Sequence, residues 1–257
     1  MKKINVTIKE LPFSAEEAMN RLRVNVRFSG ANTKKIMVTS SVPNEGKSHV
    51  STYLWKMLAE AGNRTVLIDA DLRKSVLKDD LQFKTDVKDP MGLDHYLAGM
   101  AEYNDIVYET NVDKAFFVPC INLLENPSSL LEDARLSELL DRLGEEYDYV
   151  IVDTPPLVSV SDGALIGAVC DGTILVVRSG MVPKKLVIQS VRQLERAGAR
   201  LLGTVLNCVN AGHHAYGKYY GGGYYGKYYG DYYGGYYGKD KGKKEDKKDD
   251  KEDKEKK

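Results

Sequence analysis

The sequence predicts an α/β fold: a mostly parallel central sheet with helices on both faces, followed by a C-terminal tail outside it. Three observations carry that expectation. The runs Ile36-Met37-Val38, Val66-Leu67-Ile68 and Val150-Ile151-Val152 are continuously apolar and each gives way abruptly to polar or acidic residues, as strands covered on both faces do. Segments with apolar residues at helical spacing alternate with them, and such alternation builds parallel sheets. Beyond about Val209 the composition changes from a mixture able to bury a core to tyrosine, glycine and charge. Three regions are therefore expected. Residues 1–210 form a folded domain, 211–238 a Tyr/Gly-rich tail and 239–257 a charged tail, both tails disordered for lack of aliphatic side chains.

In chain order, the stretch up to Pro12 alternates briefly and reads as an edge strand or an arm. From Ser14, the pattern Ser-Ala-Glu-Glu followed by Ala18, Met19, Leu22 and Val26 predicts a capping box, with Ser14 and Glu17 bonding the first-turn amides of an amphipathic helix. Arg21, Arg23 and Arg27 crowd its polar side, as a solvated basic face or a surface that meets another subunit. Next comes the strand over Ile36–Ser40, the loop Ser41-Val42-Pro43-Asn44-Glu45-Gly46-Lys47-Ser48-His49, and a helix that Gly62 is placed to stop. Strand, loop and helix in that order aim backbone N–H groups and the positive end of a helix dipole at one point, which suits a polyphosphate. The spacing is that of a phosphate-binding loop, with Ser41 where the first glycine usually stands. Lys47 would reach the β and γ phosphates and Ser48 would ligate Mg²⁺.

The strand Thr65–Ile68 runs into Asp69-Ala70-Asp71-Leu72-Arg73-Lys74, and acids at the carboxyl end of a parallel strand stand where open α/β sheets bind ligands. Two carboxylates two residues apart reach one centre only if the chain bends after Ile68; the alternative is a pair of loop acids capping nearby amides. Residues 76–118 offer little pattern beyond a short helix at Gly92–Leu97 and are expected to cover the rim of the site. Leu136, Leu139, Leu140 and Leu143 predict a helix that Gly144 can end. The strand from Tyr149 stops at Asp153 before Pro155-Pro156, which makes Asp153 a water-mediated Mg²⁺ partner. Strands at Thr173–Val177 and Leu201–Leu206, with a helix over Lys184–Ala197 between them, complete the series.

Lys plus Arg and Asp plus Glu both number 37, so no general field favours nucleic acid and none is expected as a partner. The three cysteines are far apart and form no C-x-x-C pair, the usage of a reduced cytosolic protein without a structural metal. No run of about twenty apolar residues occurs, so the chain is not expected to span a membrane by itself. Eleven of the seventeen tyrosines, Tyr216, Tyr219, Tyr220, Tyr224, Tyr225, Tyr228, Tyr229, Tyr232, Tyr233, Tyr236 and Tyr237, lie in the Tyr/Gly tail. Such tracts can also self-associate.

Together the phosphate loop, Val66–Lys74, Asp148–Pro156 and the terminal tyrosine cluster resemble the bacterial tyrosine kinases of capsule and exopolysaccharide synthesis, in the form of a separate cytoplasmic kinase chain. The resemblance covers about residues 14–238. In that family these strings are the Walker A, Walker A′ and Walker B motifs of a P-loop NTPase fold. The resemblance implies ATP and Mg²⁺ as cofactors and an ATP-binding loop at residues 41–49. It places Lys47 and Ser48 on phosphates and metal, Asp69 and Asp71 at the metal and the attacking tyrosine hydroxyl, and Asp153 on the metal through water. It further implies autophosphorylation of the tail tyrosines, a membrane-spanning adaptor of the polysaccharide co-polymerase type that recruits the chain to the inner face of the membrane, a cognate phosphotyrosine phosphatase and a homo-oligomer. Asn126-Pro127 with Leu130-Leu131 also resembles a family segment.

There are departures. Asn44 replaces a usual glycine, His49 a threonine and Ser75 a proline. The subunit-contact motif E-x-x-R-x-x-R is matched by Glu17 and Arg23, but Asn20 replaces its middle arginine. Two competing readings remain: a partitioning or septum-site type ATPase switch, and a non-catalytic scaffold acting through the Tyr/Gly tail. The ATPases carry a signature lysine one position after the first loop glycine, where this chain has Val42.

Overall fold

In a computed structural model of the chain, which describes residues 2–209, the expected alternation is realised around one eight-stranded sheet. The two tail regions and their tyrosines lie outside the described residues. In chain order the elements are β1 (Lys2–Lys3), α1 (Phe13–Phe28), β2 (Lys35–Ser40), α2 (Lys47–Glu60), β3 (Thr65–Asp69), α3 (Leu77–Asp80), α4 (Leu93–Leu97), α5 (Tyr103–Ile106), β4 (Tyr108–Glu109), β5 (Ala115–Val118), α6 (Ser128–Leu131), α7 (Ala134–Glu146), β6 (Tyr149–Asp153), α8 (Asp162–Ala168), β7 (Gly172–Arg178), α9 (Lys184–Arg196) and β8 (Leu201–Asn207). The strand order is β1-β4-β5-β3-β6-β2-β7-β8. All pairings are parallel except that of β4 with β5.

Alternation along the central strands divides the core into two layers. Met37, Val66, Ile68, Val150 and Val152 face one side, where the four leucines of α7, Ile166 of α8 and Leu194 of α9 pack on them. Ile36, Val38, Leu67 and Ile151 face the other, against Leu54, Trp55 and Leu58 of α2 and Met19 and Val26 of α1. Because α2 follows β2 directly and lies across this second face, its first turn is fixed at the carboxyl edge of the sheet.

Several local expectations are corrected. Helix α1 begins at Phe13, and the Pro12 carbonyl, not a Ser14–Glu17 capping box, accepts the first amides, from Ala15 (2.9 Å) and Glu16 (3.0 Å). Helix α7 runs through Gly144 to Glu146, since Leu143 is buried and the break comes only where Tyr147 turns extended toward β6. Residues 76–118 do more than cover a rim: Ala115–Val118 is a buried strand that pairs with β3 inside the sheet. It was hidden by its brevity, four apolar residues between Lys114 and Pro119. Finally, β8 is an edge strand with Gly203, Thr204 and Leu206 exposed, so covering on both faces stops at β7. Among the described residues no helix is long and apolar enough to cross a membrane.

Candidate active site

Strand β2 ends at Ser40 in the middle of the sheet, and the chain turns over the carboxyl edge before α2 starts at Lys47. That turn is braced from several directions. The buried Glu45 side chain accepts from the Val42 amide (2.8 Å) and from the Arg178 amide at the end of β7 (3.1 Å). Asn207 Nδ2, at the end of β8, donates to the Glu45 carbonyl (2.9 Å), and Arg178 Nη1 to that of Asn44 (3.2 Å). Gly46 has φ +91°, and a Cβ there would lie 2.1 Å from Asn207 Nδ2; only glycine fits both conditions. Asn44 sits at φ +67°, a left-handed conformation that asparagine tolerates better than most residues, which accounts for its standing in place of glycine. Ser41 is not among the residues with positive φ. Its hydroxyl accepts instead from Ser190 of α9 (2.9 Å), both side chains being fully buried.

At the mouth of this loop the acids of β3 and β6 converge on Lys47. Its Nζ lies 3.1 Å from Asp71 Oδ2 and 3.6 Å from Asp153 Oδ2, and donates to Ser48 Oγ at 3.2 Å. Ser48 Oγ donates to Asp153 Oδ2 (2.7 Å), and Ser51, one turn further along α2, donates to Asp153 Oδ1 (3.0 Å). The required bend after Ile68 is present: β3 stops at Asp69, which is in register with Asp153, and the Ala70 amide then donates to the Asp153 carbonyl (2.8 Å). Asp69 accepts from Ser75 Oγ through Oδ2. Its Oδ1 is buried without a partner.

The electrostatics follow from three buried carboxylates around one ammonium. Burial would lower the Lys47 pKa, but Asp153 and Asp71 overcome it and hold the lysine above its ordinary value, so it stays charged. Burial pushes Asp69 up to about 8 despite the Ser75 hydrogen bond, with Asp153 and Asp71 adding like-charge repulsion. Asp153 is also raised by burial, opposed by Lys47 and Ser48. The cluster is therefore short of positive charge, which disfavours the charged form of Asp69.

A cavity of about 490 Å³ opens on the cluster, lined among others by Gly46, Lys47, Ser48, His49, Asp71 and Pro155. Asp69 does not line it. His49 stacks on Tyr53 with ring centroids 4.5 Å apart, and burial lowers its pKa, which keeps it neutral. The donor set fits a hard divalent cation: Ser48, Asp69 and Asp153 offer only oxygen, and the orphaned Asp69 Oδ1 is an unmet acceptor inside a negative cluster. Among the described residues no three acids, cysteines or histidines form a ready-made metal cage. This is how Mg²⁺ is commonly held, by one or two protein oxygens completed by phosphate and water.

The structure thus brings together Lys47, Ser48, Asp69, Asp71 and Asp153, with the loop from Ser41 to His49 around them. Glu17 is exposed and Arg23 half-buried on α1, on the α2 side of the sheet and outside this site. Sequence reasoning missed the loop braces Arg178, Ser190 and Asn207, the Asp153 partner Ser51, and the pair Arg73–Asp162. Only Ser51 left a local signal, its i+3 spacing from Ser48.

A cradle at the carboxyl end of a parallel sheet, with its lysine, serine and strand-end acids, defines a P-loop nucleotide-binding protein of a kind that works with a divalent metal. The AAA domain family matches residues 33–195. The tyrosine-protein kinase CpsD of Streptococcus agalactiae is 40% identical over 204 residues, spanning 79% of this chain and 88% of that protein. The kinase domain of the Escherichia coli tyrosine kinase ETK superposes with a TM-score of 0.70 at 32% identity, covering 80% of this chain and 85% of that one. The septum-site-determining protein MinD of Pyrococcus horikoshii, solved with Mg-ADP, shares the fold with a TM-score of 0.57 at 22% identity, over 67% of this chain and 69% of that one. The chain belongs to the bacterial tyrosine kinase family of capsule and exopolysaccharide synthesis, the family its motifs resemble.

Proposed function

We propose that the protein is an ATP-dependent protein-tyrosine kinase that phosphorylates its own C-terminal tyrosines and so regulates capsule or exopolysaccharide synthesis and export. The observation that carries this reading is the meeting of Lys47, Ser48, Asp71 and Asp153 within hydrogen-bonding or ion-pair distance at the mouth of the phosphate loop. The kinase is preferred to a partitioning-type ATPase because the loop has Val42 where those proteins carry their signature lysine, so that lysine is not there to be lent across a dimer. It is preferred to an idle scaffold because every charged group that phosphoryl transfer needs is retained and buried in place.

In this reading Lys47 offsets charge on the β and γ phosphate oxygens of ATP, and the loop amides and the first turn of α2 hold the polyphosphate. Mg²⁺, held by Ser48, Asp69 and through water by Asp153, supplies further charge neutralisation when bound. Asp71 lines the cavity whereas Asp69 is fully buried and does not. Asp71 is therefore the group placed to accept the proton of an incoming tyrosine hydroxyl as its oxygen attacks the γ-phosphorus and ADP leaves. The acceptors are Tyr216 to Tyr237, presented by a neighbouring copy in a homo-oligomer for which Glu17 and Arg23 supply contacts. A cytoplasmic chain of this kind would be drawn to the membrane and activated by a membrane-spanning adaptor, and reset by a phosphotyrosine phosphatase.

The test is incubation of the purified protein with ATP and Mg²⁺, followed by mass-spectrometric mapping, with Lys47→Met as control. Phosphotyrosine in the tail of the parent, reduced on the order of a hundredfold or more in the variant, is expected. Release of free phosphate without phosphotyrosine would instead favour the ATPase switch.

A further inference from the structure

Asp162 lies outside every motif, yet it is a buried carboxylate, 1% exposed at its side chain, in the first turn of α8. Arg73 approaches it with two donors, Nε to Oδ2 at 2.6 Å and Nη2 to Oδ1 at 3.2 Å. Ser128 Oγ donates to the same Oδ1 (2.8 Å), and the remaining reach of Arg73 extends to Ser128 Oγ (3.0 Å) and the Glu125 carbonyl (2.7 Å). One guanidinium thus joins three segments: the acidic loop after β3, the chain entering α6, and the start of α8.

Two of the three walls of the site are joined without this group. Strands β2 and β6 pair directly, and the chain beyond Asp153 is bonded to the phosphate-loop side by Leu157 N–H to the Ser40 carbonyl (2.9 Å), Val158 N–H to that of Ser41 (3.1 Å), and Thr39 Oγ1 to the Pro155 carbonyl (3.0 Å). Helix α8 is locked against that chain, since a Cβ on Gly163 would meet Leu157 at 3.0 Å and the Pro155 carbonyl at 3.3 Å. The third wall is joined to β6 as far as Ala70, by strand pairing and the Ala70 N–H to the Asp153 carbonyl. Beyond it the segment carrying Asp71 leaves the sheet: the buried Leu72 accepts at its carbonyl from the Leu124 amide (2.7 Å), on the chain before α6, and Asp71 itself is oriented by the Lys74 amide (3.1 Å) and Lys47. Arg73, between Asp71 and Lys74, anchors this segment to the far wall.

We infer that Asp162, acting through Arg73, is a positioning residue that fixes the Asp71 loop against the wall formed by the chain after Asp153. Its work is geometric: Asp162 does not line the cavity, and it sets where Asp71 stands. What Asp71 then does rests on the kinase reading, but the tie itself does not.

Two variants of the full chain separate this from a general structural role. Arg73→Lys keeps a cation near the buried carboxylate yet loses the planar fork that spans three acceptors, and Asp162→Asn keeps the shape. Hydrogen exchange of the nucleotide-free protein should show amides of residues 70–76 exchanging on the order of tenfold faster in both variants, with 149–153 unchanged. In the phosphotransfer assay kcat should fall roughly tenfold or more, the scale of a misplaced catalytic group, while the KM for ATP stays within about twofold of the parent's. The double variant should lose no more than the worse single one. Unchanged exchange at 70–76, faster exchange throughout the domain, a change confined to KM, or additive losses would each overturn the assignment. Should the parent form no phosphotyrosine, the kinase reading falls and the exchange data still decide the tie.

Discussion

The loop after β2 and the loop after β3 end at the same edge of one sheet and face each other across the same cavity, yet they are held in opposite ways. Residues 41–46 are fixed through backbone and hydroxyl groups: Asn207 on the Glu45 carbonyl, the Arg178 guanidinium on the Asn44 carbonyl, Ser190 on Ser41, and the Val158 amide on the Ser41 carbonyl. The one carboxylate involved, Glu45, accepts from the Val42 and Arg178 amides, so the charged side chains here bond backbone and not one another. Residues 69–75 are tied mainly by ion pairs, Asp71 on Lys47 and Arg73 on Asp162, with the Ser75 hydroxyl donating to Asp69. The division follows from what each loop must do. A phosphate cradle works through N–H groups whose positions must not vary, and bonds to its own backbone hold them. An acidic loop works through groups that exchange protons and metal, so the interactions holding it are the ones those events disturb.

The largest break in this comparison is expected from Gly46→Ala. A left-handed conformation costs a residue with Cβ about 1–2 kcal/mol, and the added carbon also lies 2.1 Å from Asn207 Nδ2, so the loop shifts and loses the Asn207 brace. Nucleotide affinity, measured by titration calorimetry, should fall at least tenfold. Adding Asn207→Ala would relieve the contact but not the backbone strain, so recovery should be partial; full recovery would show that φ at Gly46 is unimportant.

The acidic loop should respond to pH through Asp69. In the absence of metal and nucleotide, burial holds the Asp69 pKa in the folded protein at about 8, above its ordinary value of 3.8. The folded state therefore binds more protons than the unfolded one between those limits, and the stability contributed is complete below the lower value and lost as pH rises through the upper one. Thermal melts in EDTA should show the parent losing stability from about pH 4 to about pH 8 and levelling off above it. Asp69→Asn should flatten that slope and be relatively more stable at the alkaline end. A parent profile as flat as the variant's would remove the charge-shortage account of the cluster.

The same contrast decides what could be read from sequence. Strands β2, β3 and β6 were legible because each is a continuous apolar run, and the three functional strings follow them directly. Asp69, Asp71, Lys47, Ser48 and Asp153 were legible as candidates since strand-end placement is a local property. Strand β5 was not, because four apolar residues are too few to separate a strand from a buried turn. The Ser14–Glu17 signal was real chemistry that lost to the Pro12 carbonyl two residues earlier. The braces were invisible for another reason: Arg73 and Asp162 are 89 residues apart, and Ser41 and Ser190 are 149 apart. Neither pair has any periodicity linking its members, so only the fold brings them together.

The smallest effect is expected from Ser190→Ala, and it tests whether the phosphate loop is as redundantly held as it looks. The substitution removes the donor to the buried Ser41 hydroxyl. A buried polar group left without its partner costs about 1–3 kcal/mol, near the lower end here because the Ser41 hydroxyl can rotate. For a domain of this size each kcal/mol lowers Tm by about 2–4 °C. Nucleotide affinity should change by less than about threefold, since each remaining brace, from Glu45, Arg178 and Asn207, contributes a hydrogen bond of its own. Converting Ser41 to glycine in the Ser190→Ala background removes the stranded hydroxyl, so Ser41→Gly should return part of the lost Tm. If Ser190→Ala instead abolished nucleotide binding, α9 would be the principal support of the loop, and the contrast between a redundantly braced phosphate loop and a charge-tied acidic loop would no longer stand.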